Sequence, residues 1–286
     1  MAISLGILFG IIAMLSWGVA DFFVAKAVRK SGVFKTFIWT QIIGLILFLV
    51  IFSLFFKFPI LSFKTLILIL IAGFLGFVPL LAYYKGLQIG AVSIISPIAA
   101  SYAAIAVILS LIFLNETLTV LQAIGVSLAI LGAVLTSFKF HDLTKLRLKN
   151  FATAVKYAII AMLGWGVLVV LIGILVSELG WFFPVFLVKM LIVLYALSYA
   201  GAAKKNISFP KNAALFVVLI GFLESIGFLA FGAGVSLEYT AIIAPVSSVY
   251  PAITIILAQI FFKEILDINQ KIGVAAVLLG LVLLAI

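Results

Sequence analysis

Long apolar runs separated by short polar punctuation divide the chain into ten segments: residues 3–24, 34–56, 65–85, 92–114, 118–138, 152–176, 182–200, 212–235, 240–262 and 268–286. Each is close to the ~20-residue helix that crosses ~30 Å of hydrocarbon. The pattern therefore predicts an all-α integral membrane protein of ten transmembrane helices. The largest interruption, Lys139 to Asn150, carries Lys139, His141, Asp142, Lys145, Arg147 and Lys149 and falls at the midpoint. Residues 1–138 and 151–286 are accordingly expected to be two five-helix repeats joined by a basic linker, 139–150.

A single offset of 148 residues aligns the two halves. Residues 11–19, Ile-Ile-Ala-Met-Leu-Ser-Trp-Gly-Val, recur at 159–167 with only Ser16 replaced, by Gly164. The same ungapped register pairs Gly73 with Gly221, Gly86 with Gly234, Pro97 with Pro245, Tyr102 with Tyr250, Glu116 with Glu264, Gln122 with Gln270, Gly125 with Gly273 and Gly132 with Gly280. Apolar sequences match by chance often, but Trp, Pro, Glu, Gln and repeated Gly in one register do not. Five spans per half send the second copy into the bilayer from the opposite side, so the repeat is expected to be inverted.

Composition fits the same picture: 67% of the 286 residues are hydrophobic and 9% charged, against about 45–50% and about 25% in soluble domains. The net charge of +10 raises the question of nucleic acid, yet no run of interleaved basic and aromatic residues forms a solvated patch. Sidedness explains the charge better. In the ten-span topology Lys26, Arg29, Lys30, Lys35, Lys85, Lys139, Lys145, Arg147, Lys149, Lys156, Lys204, Lys205, Lys211, Lys263 and Lys271 share one side, and Lys57 and Lys64 the other, with Lys189 inside a span. This asymmetry of 15 to 2 makes the rich side cytoplasmic, with both termini outside and the chain in the cell's inner (plasma) membrane. Anionic lipid can assist the basic side. The first helix lacks a basic leader and a cleavage site before Asp21, so it reads as a retained span.

With no cysteine and one histidine, the sequence holds no disulfide framework, thiol nucleophile or cluster of soft metal ligands, and no metal or other cofactor is expected. No Gly-rich loop after a strand suggests a phosphate cradle. An enzyme acting on lipid would need a nucleophile with a base, paired carboxylates or metal ligands. His141 lies in the linker and Glu224 has no second acid deep in a neighbouring span, so an enzyme is not expected.

Inverted repeats about a pseudo-two-fold axis create a midplane site that rocking exposes to either side. The Trp17-Gly18 and Trp165-Gly166 pairs, Ile95-Ser96-Pro97 through Asn115-Glu116-Thr117, and Ala244-Pro245 through Lys263-Glu264 resemble the drug/metabolite transporter superfamily, specifically its EamA-type ten-helix permeases. The resemblance covers essentially the whole chain. It implies a basket-like bundle around a central cavity and export of small metabolites or drugs without an ATP-binding module.

Ionisable residues inside spans cost ~2.5–3.5 kcal/mol each on insertion scales and are functional candidates by default. Glu224 lies about twelve residues into its span, hence ~18 Å along it and near the bilayer middle. Lys189 sits seven residues into the seventh span. Their repeat partners are Gly76 and Gln41, so both charges break the pseudo-symmetry in the same half. They are expected to face one another or share the cavity, holding an amphoteric solute or gating with proton load; a purely structural ion pair is the alternative. Asp21 shares a helix face with Trp17 by the i, i+4 rule and either lines a vestibule or pairs with Lys26 and Arg29. Trp17 and Trp165 line the cavity or belong to an interfacial aromatic belt.

Pro97 and Pro245 cannot donate to the carbonyls of Ser93 and Ala241, so both fourth helices should kink, with Pro251 repeating the break. Ser96, Ser101 and Tyr102 in one half, and Ser247, Ser248 and Tyr250 in the other, offer hydroxyls to substrate or to the freed carbonyls. Glu116 and Glu264 end the fourth helices, where each carboxylate can cap the amides of the fifth. The glycines most simply permit close helix approach.

The expectation is a secondary transporter exporting a small organic metabolite, an amino acid or an aromatic or amphipathic compound, by alternating access. Protons are a candidate coupling ion through Glu224. A passive facilitator or exchanger on the same fold is the alternative. The expected partners are a small-molecule substrate and the lipid bilayer, with no nucleic acid, and two fused halves let a monomer suffice.

Overall fold

Apolar runs of this length can satisfy their backbone amides away from water only as helices, and helices are what form. The computed structural model describes residues 4–90, 92–136, 148–262 and 267–284. Among these residues there are twelve α-helices: α1 Leu5–Ser31, α2 Val33–Phe55, α3 Phe63–Ile89, α4 Val92–Ala100, α5 Tyr102–Phe113, α6 Val120–Thr136, α7 Leu148–Leu179, α8 Phe182–Ala202, α9 Ala214–Val235, α10 Thr240–Ser248, α11 Tyr250–Phe262 and α12 Ile268–Leu284. Local chemistry marks several ends. Ser4 caps α1 through the Ile7 amide, and Ser62 caps α3 through the Thr65 amide. Gly32, at φ +87°, makes the turn from α1 to α2 in a conformation that side chains resist.

The helices repeat as the residues do. Moved by 148 positions, the bounds of α4 and α6 become those of α10 and α12. α7 starts at Leu148, inside the stretch expected to be linker. The other linker residues named above, Lys139, His141, Asp142, Lys145 and Arg147, lie outside the described residues, as do Lys263 and Glu264. Among the described residues eight helical stretches are long and apolar enough to cross a membrane, α4 with α5 and α10 with the start of α11 each counting as one. α6 and α12, at 17 residues each, are apolar but shorter.

The proline-bearing fourth segments of both halves are interrupted, but not at the prolines. Pro97 and Pro245 sit inside α4 and α10, and the breaks come four residues later, at Ser101 and Val249. A ring removes one hydrogen bond and crowds the preceding turn, and the helix tolerates this until its next turn ends.

Packing between the halves follows a two-fold exchange. α1 packs on α9 as α7 does on α3; α1 meets α11 as α7 meets α5; and α5 meets α10 as α11 meets α4. α6 and α12 pack on each other, and so do α2 and α8. The α6–α12 seam is made by bare backbone: a Cβ on Gly132 would lie 2.8 Å from the Gly273 carbonyl oxygen, and one on Gly125 would lie 2.9 Å from that of Gly280. Since Gly132 and Gly273 meet at one end and Gly125 and Gly280 at the other, the two helices run antiparallel. Between α2 and α8 the seam is aromatic. Phe48, Phe52 and Phe56 interleave with Phe182, Phe183 and Phe186, the Phe56 and Phe182 rings stacked at 4.1 Å. The outward helix faces carry many exposed apolar side chains, among them Leu49, Leu131, Leu163, Leu215, Phe222 and Leu279, as lipid contact requires.

Candidate functional site

A cavity opens between the halves, with about 690 Å³ of empty space counting its mouth. Fifteen residues line it, and fourteen of them form seven pairs at the 148-residue offset: Trp17 with Trp165, Ala20 with Leu168, Asp21 with Val169, Gly76 with Glu224, Leu80 with Phe228, Tyr83 with Phe231, and Tyr102 with Tyr250. Ile172 is the fifteenth. The cavity therefore straddles the pseudo-two-fold relation. Its shape is shared between the halves; its polar groups are not.

Seven of the fifteen lining side chains are aromatic. Trp17 packs against Phe228, Phe231 and Tyr250 at 5.5, 5.8 and 6.5 Å between ring centroids. Trp165 packs against Tyr83 and Tyr102 at 5.1 and 6.1 Å. Both tryptophans are thus cavity walls, not rim anchors. The Trp17 indole lies over Gly227, where a side chain would displace it, and its Nε1 donates to the Glu224 carbonyl at 3.4 Å.

Two carboxylates reach this wall in different surroundings, so Glu224 does have a second buried acid beside it, Asp21 on the neighbouring α1, contrary to the expectation from sequence. Glu224 is 6% exposed, and its Oε1 accepts from the Tyr84 hydroxyl at 2.5 Å. Its Oε2 accepts from Gln41 Nε2 at 2.7 Å, and the Lys189 ammonium stands 3.9 Å away. Lys189 in turn donates to Gln41 Oε1 at 2.7 Å, so one amide bridges the two ions. Thr40 completes the cluster, within 3.3 Å of both Gln41 and Tyr84. Asp21 is 7% exposed and has no such cation: its Oδ2 accepts from the Tyr83 and Ser96 hydroxyls. Among the described residues no basic nitrogen lies within 4 Å of it, so the pairing with Lys26 or Arg29 set out above does not form. Arg29 instead donates to the carbonyls of Leu87 and Gly90.

Of the residues named from sequence, Trp17, Asp21, Tyr102, Trp165, Glu224 and Tyr250 line the cavity. Gln41 and Lys189 stand behind Glu224, not on the wall. Pro97, Ser101, Pro245 and Ser248 are off the wall too. Ser101 and Ser248 donate to the carbonyls of Pro97 and Pro245, at 2.9 and 2.8 Å, mending the interrupted helices. Ser247 joins the halves through a 3.2 Å contact with the Tyr102 hydroxyl. Glu116 is a cap, but for a different helix than expected. Its two oxygens accept from the Thr240 and Ala241 amides, each at 2.8 Å, at the start of α10 in the opposite half. Sequence order favours the next helix along; the two-fold packing brings α10 closer.

Tyr83, Tyr84 and Thr40 escape a reading based on charge and proline. A signal for them exists in the repeat. Their partners are Phe231, Gly232 and Val188, and those of Asp21 and Ser96 are Val169 and Ala244. Polar residues whose repeat partners are apolar converge on the cavity and the cluster behind it.

Comparison with known proteins matches this architecture. The EamA-like transporter family model aligns twice, to residues 4–138 and 152–286. An uncharacterized protein of Methanocaldococcus jannaschii is 35% identical over 131 residues, which are 46% of this chain and 95% of that protein. That relative has the length of one repeat. A solved crystal structure with 17% identity superposes with a TM-score of 0.74, covering 99% of this chain and 98% of the other, and shows the same fold.

Proposed function

Since the chain belongs to the EamA-like transporter family, and is thus a membrane transporter of small molecules, we propose that it is a secondary transporter that exports a small amphipathic organic metabolite by alternating access through the cavity between its halves. The observation that carries this reading is the cavity wall, fourteen of whose fifteen residues are related by the repeat. A site built on a pseudo-two-fold axis keeps its shape when the halves exchange conformations, which is what opening to alternate sides demands.

On this proposal the chain crosses the bilayer ten times in an inverted arrangement. The eight long apolar stretches together with α6 and α12 make ten, and the antiparallel α6–α12 seam is the contact expected of halves that enter the bilayer from opposite sides. The 15-to-2 distribution of Lys and Arg favours a cytoplasmic basic side in the plasma membrane. One chain supplies both halves of the wall, so a monomer suffices. Glu224 is the candidate for proton coupling: it touches the cavity on one side and an ion-bridging amide on the other, so loading it would alter both.

Proteoliposomes charged with labelled amino acids or aromatic cations, with and without an imposed pH gradient, test the proposal beside Glu224→Gln. Uphill accumulation that needs the gradient and Glu224 is the expected result. Flux that only equilibrates, indifferent to both, would replace coupled transport by a passive facilitator on the same fold.

A further inference from the structure

The two acids of the cavity are not equivalent, and the difference bears on the solute. Glu224 already has a buried counter-ion, Lys189, bridged to it by Gln41. Asp21 has only hydroxyl partners, Tyr83 and Ser96, and both bonds fall on Oδ2. Oδ1 accepts no hydrogen bond from the described residues. None of the fifteen lining residues is Lys, Arg or His. Among the described residues the wall thus offers one carboxylate with no cation of its own, on the helix face that also carries Trp17, in a chamber walled by Trp165, Tyr102, Tyr250 and Phe228.

A carboxylate in aromatic surroundings attracts a positively charged nitrogen twice, by charge-assisted hydrogen bonding and by the negative faces of the rings. Resting on the reading of this cavity as the transport site, we propose that Asp21 anchors the ammonium of an amphipathic organic cation, and that the transported class is amines with an aromatic or aliphatic body and no carboxylate. The apolar remainder of the wall, Ala20, Leu80, Leu168, Val169 and Ile172, receives the body. A zwitterionic amino acid would bring a carboxylate into a chamber that already holds two acids and presents no cation. Lys189 is not on the wall, and to meet that carboxylate its ammonium would have to give up its 2.7 Å bond to Gln41 Oε1 and its place beside Glu224. Among the solutes set out from sequence, amino acids are therefore disfavoured relative to their decarboxylated counterparts.

One phenyl body with five head groups tests this on the full chain in detergent, read by quenching of the wall tryptophans. Phenethylamine and phenethyltrimethylammonium are expected to bind about tenfold or more tightly than phenylalanine, 3-phenylpropionate or 2-phenylethanol. Asp21→Asn is expected to weaken both cations about tenfold while leaving 2-phenylethanol unchanged. Phenylalanine binding as tightly as phenethylamine would overturn the proposal, as would cation binding that survives Asp21→Asn. If that variant fails to fold, the head-group series on the unaltered protein still decides. In proteoliposomes, transport of phenylalanine without phenethylamine would sink this inference alone, whereas movement of none of these solutes or other metabolites would sink the transport reading beneath it.

Discussion

Replacing Lys189 by Met probes the cluster behind the cavity wall most directly. Lys189 is 2% exposed, 2.7 Å from Gln41 Oε1 and 3.9 Å from Glu224 Oε2. Without it, the Glu224 carboxylate keeps the Tyr84 hydroxyl at 2.5 Å and the Gln41 amide at 2.7 Å but loses its counter-charge. Stranding one member of a buried ion pair costs ~3–5 kcal/mol, whereas removing both members for neutral groups of similar size is close to neutral. Two surviving donors put Lys189→Met at the low end, about 3 kcal/mol. At roughly 2–4 °C per kcal/mol for a chain of this size, its melting temperature should fall by about 6–12 °C. Glu224→Gln strands the ammonium and should lose a comparable amount. The double variant should melt within about 3 °C of the parent. Thermal unfolding in detergent, followed by tryptophan fluorescence and by loss of the monodisperse species, reads all four proteins. If the double variant loses the sum of the two single losses, the ions do not stabilise one another and the cluster has been misread.

Three further outcomes follow from contacts elsewhere. Glu116→Ala should lower stability by ~1–2 kcal/mol by uncapping the Thr240 and Ala241 amides, with Glu116→Gln between it and the parent; equal melting of Ala and parent would remove the cap from the account. Gly132→Val puts atoms into the 2.7 Å and 2.8 Å approaches of Val277 N and Gly273 O, and should cost ~1–3 kcal/mol in the same assay, while Leu131→Val on the exposed face should change little. Binding of phenethyltrimethylammonium should weaken as pH is lowered, because a proton and the cation compete for Asp21; Tyr83, Tyr250 and Glu224 are the other titratable groups facing it, with Lys189 behind Glu224, and Asp21→Asn should abolish the dependence.

The span pattern and the duplication were readable because hydropathy and a gapless register are one-dimensional properties. Glu224 and Lys189 stood out because charge in an apolar run is rare. The division between wall and backing was not readable. Lys189 and Glu224 both lie deep in their spans, and which of them meets the cavity depends on how α8 and α9 turn against α2. Gln41 drew notice only as the repeat partner of Lys189, and its role as a bridge arises because α2 carries it between the two ions. The Glu116 contact shows the same limit. A cap motif identifies a free carboxylate near amides, while the choice between α6 and α10 is made by tertiary packing.

The phenylalanine seam between α2 and α8 carries a consequence for the resting state. Two halves related by a two-fold axis would, if identical, rest equally well open to either face. The seam removes that equality: the repeat partners of Phe48, Phe52 and Phe56 are Ala196, Ala200 and Lys204, and those of Phe182, Phe183 and Phe186 are Phe34, Lys35 and Ile38. One end of the α2–α8 seam thus has a denser aromatic cluster than the other, where Phe34 meets Tyr199 at 5.7 Å between ring centroids. Aromatic pairs contribute ~0.5–1.5 kcal/mol each beyond their buried area, and a few of them leave the alternative conformation at roughly a few per cent or less. On the proposed alternating-access reading the empty protein favours one facing, and thinning this cluster with Phe52→Ala should be visible as a redistribution between conformers before any solute is added.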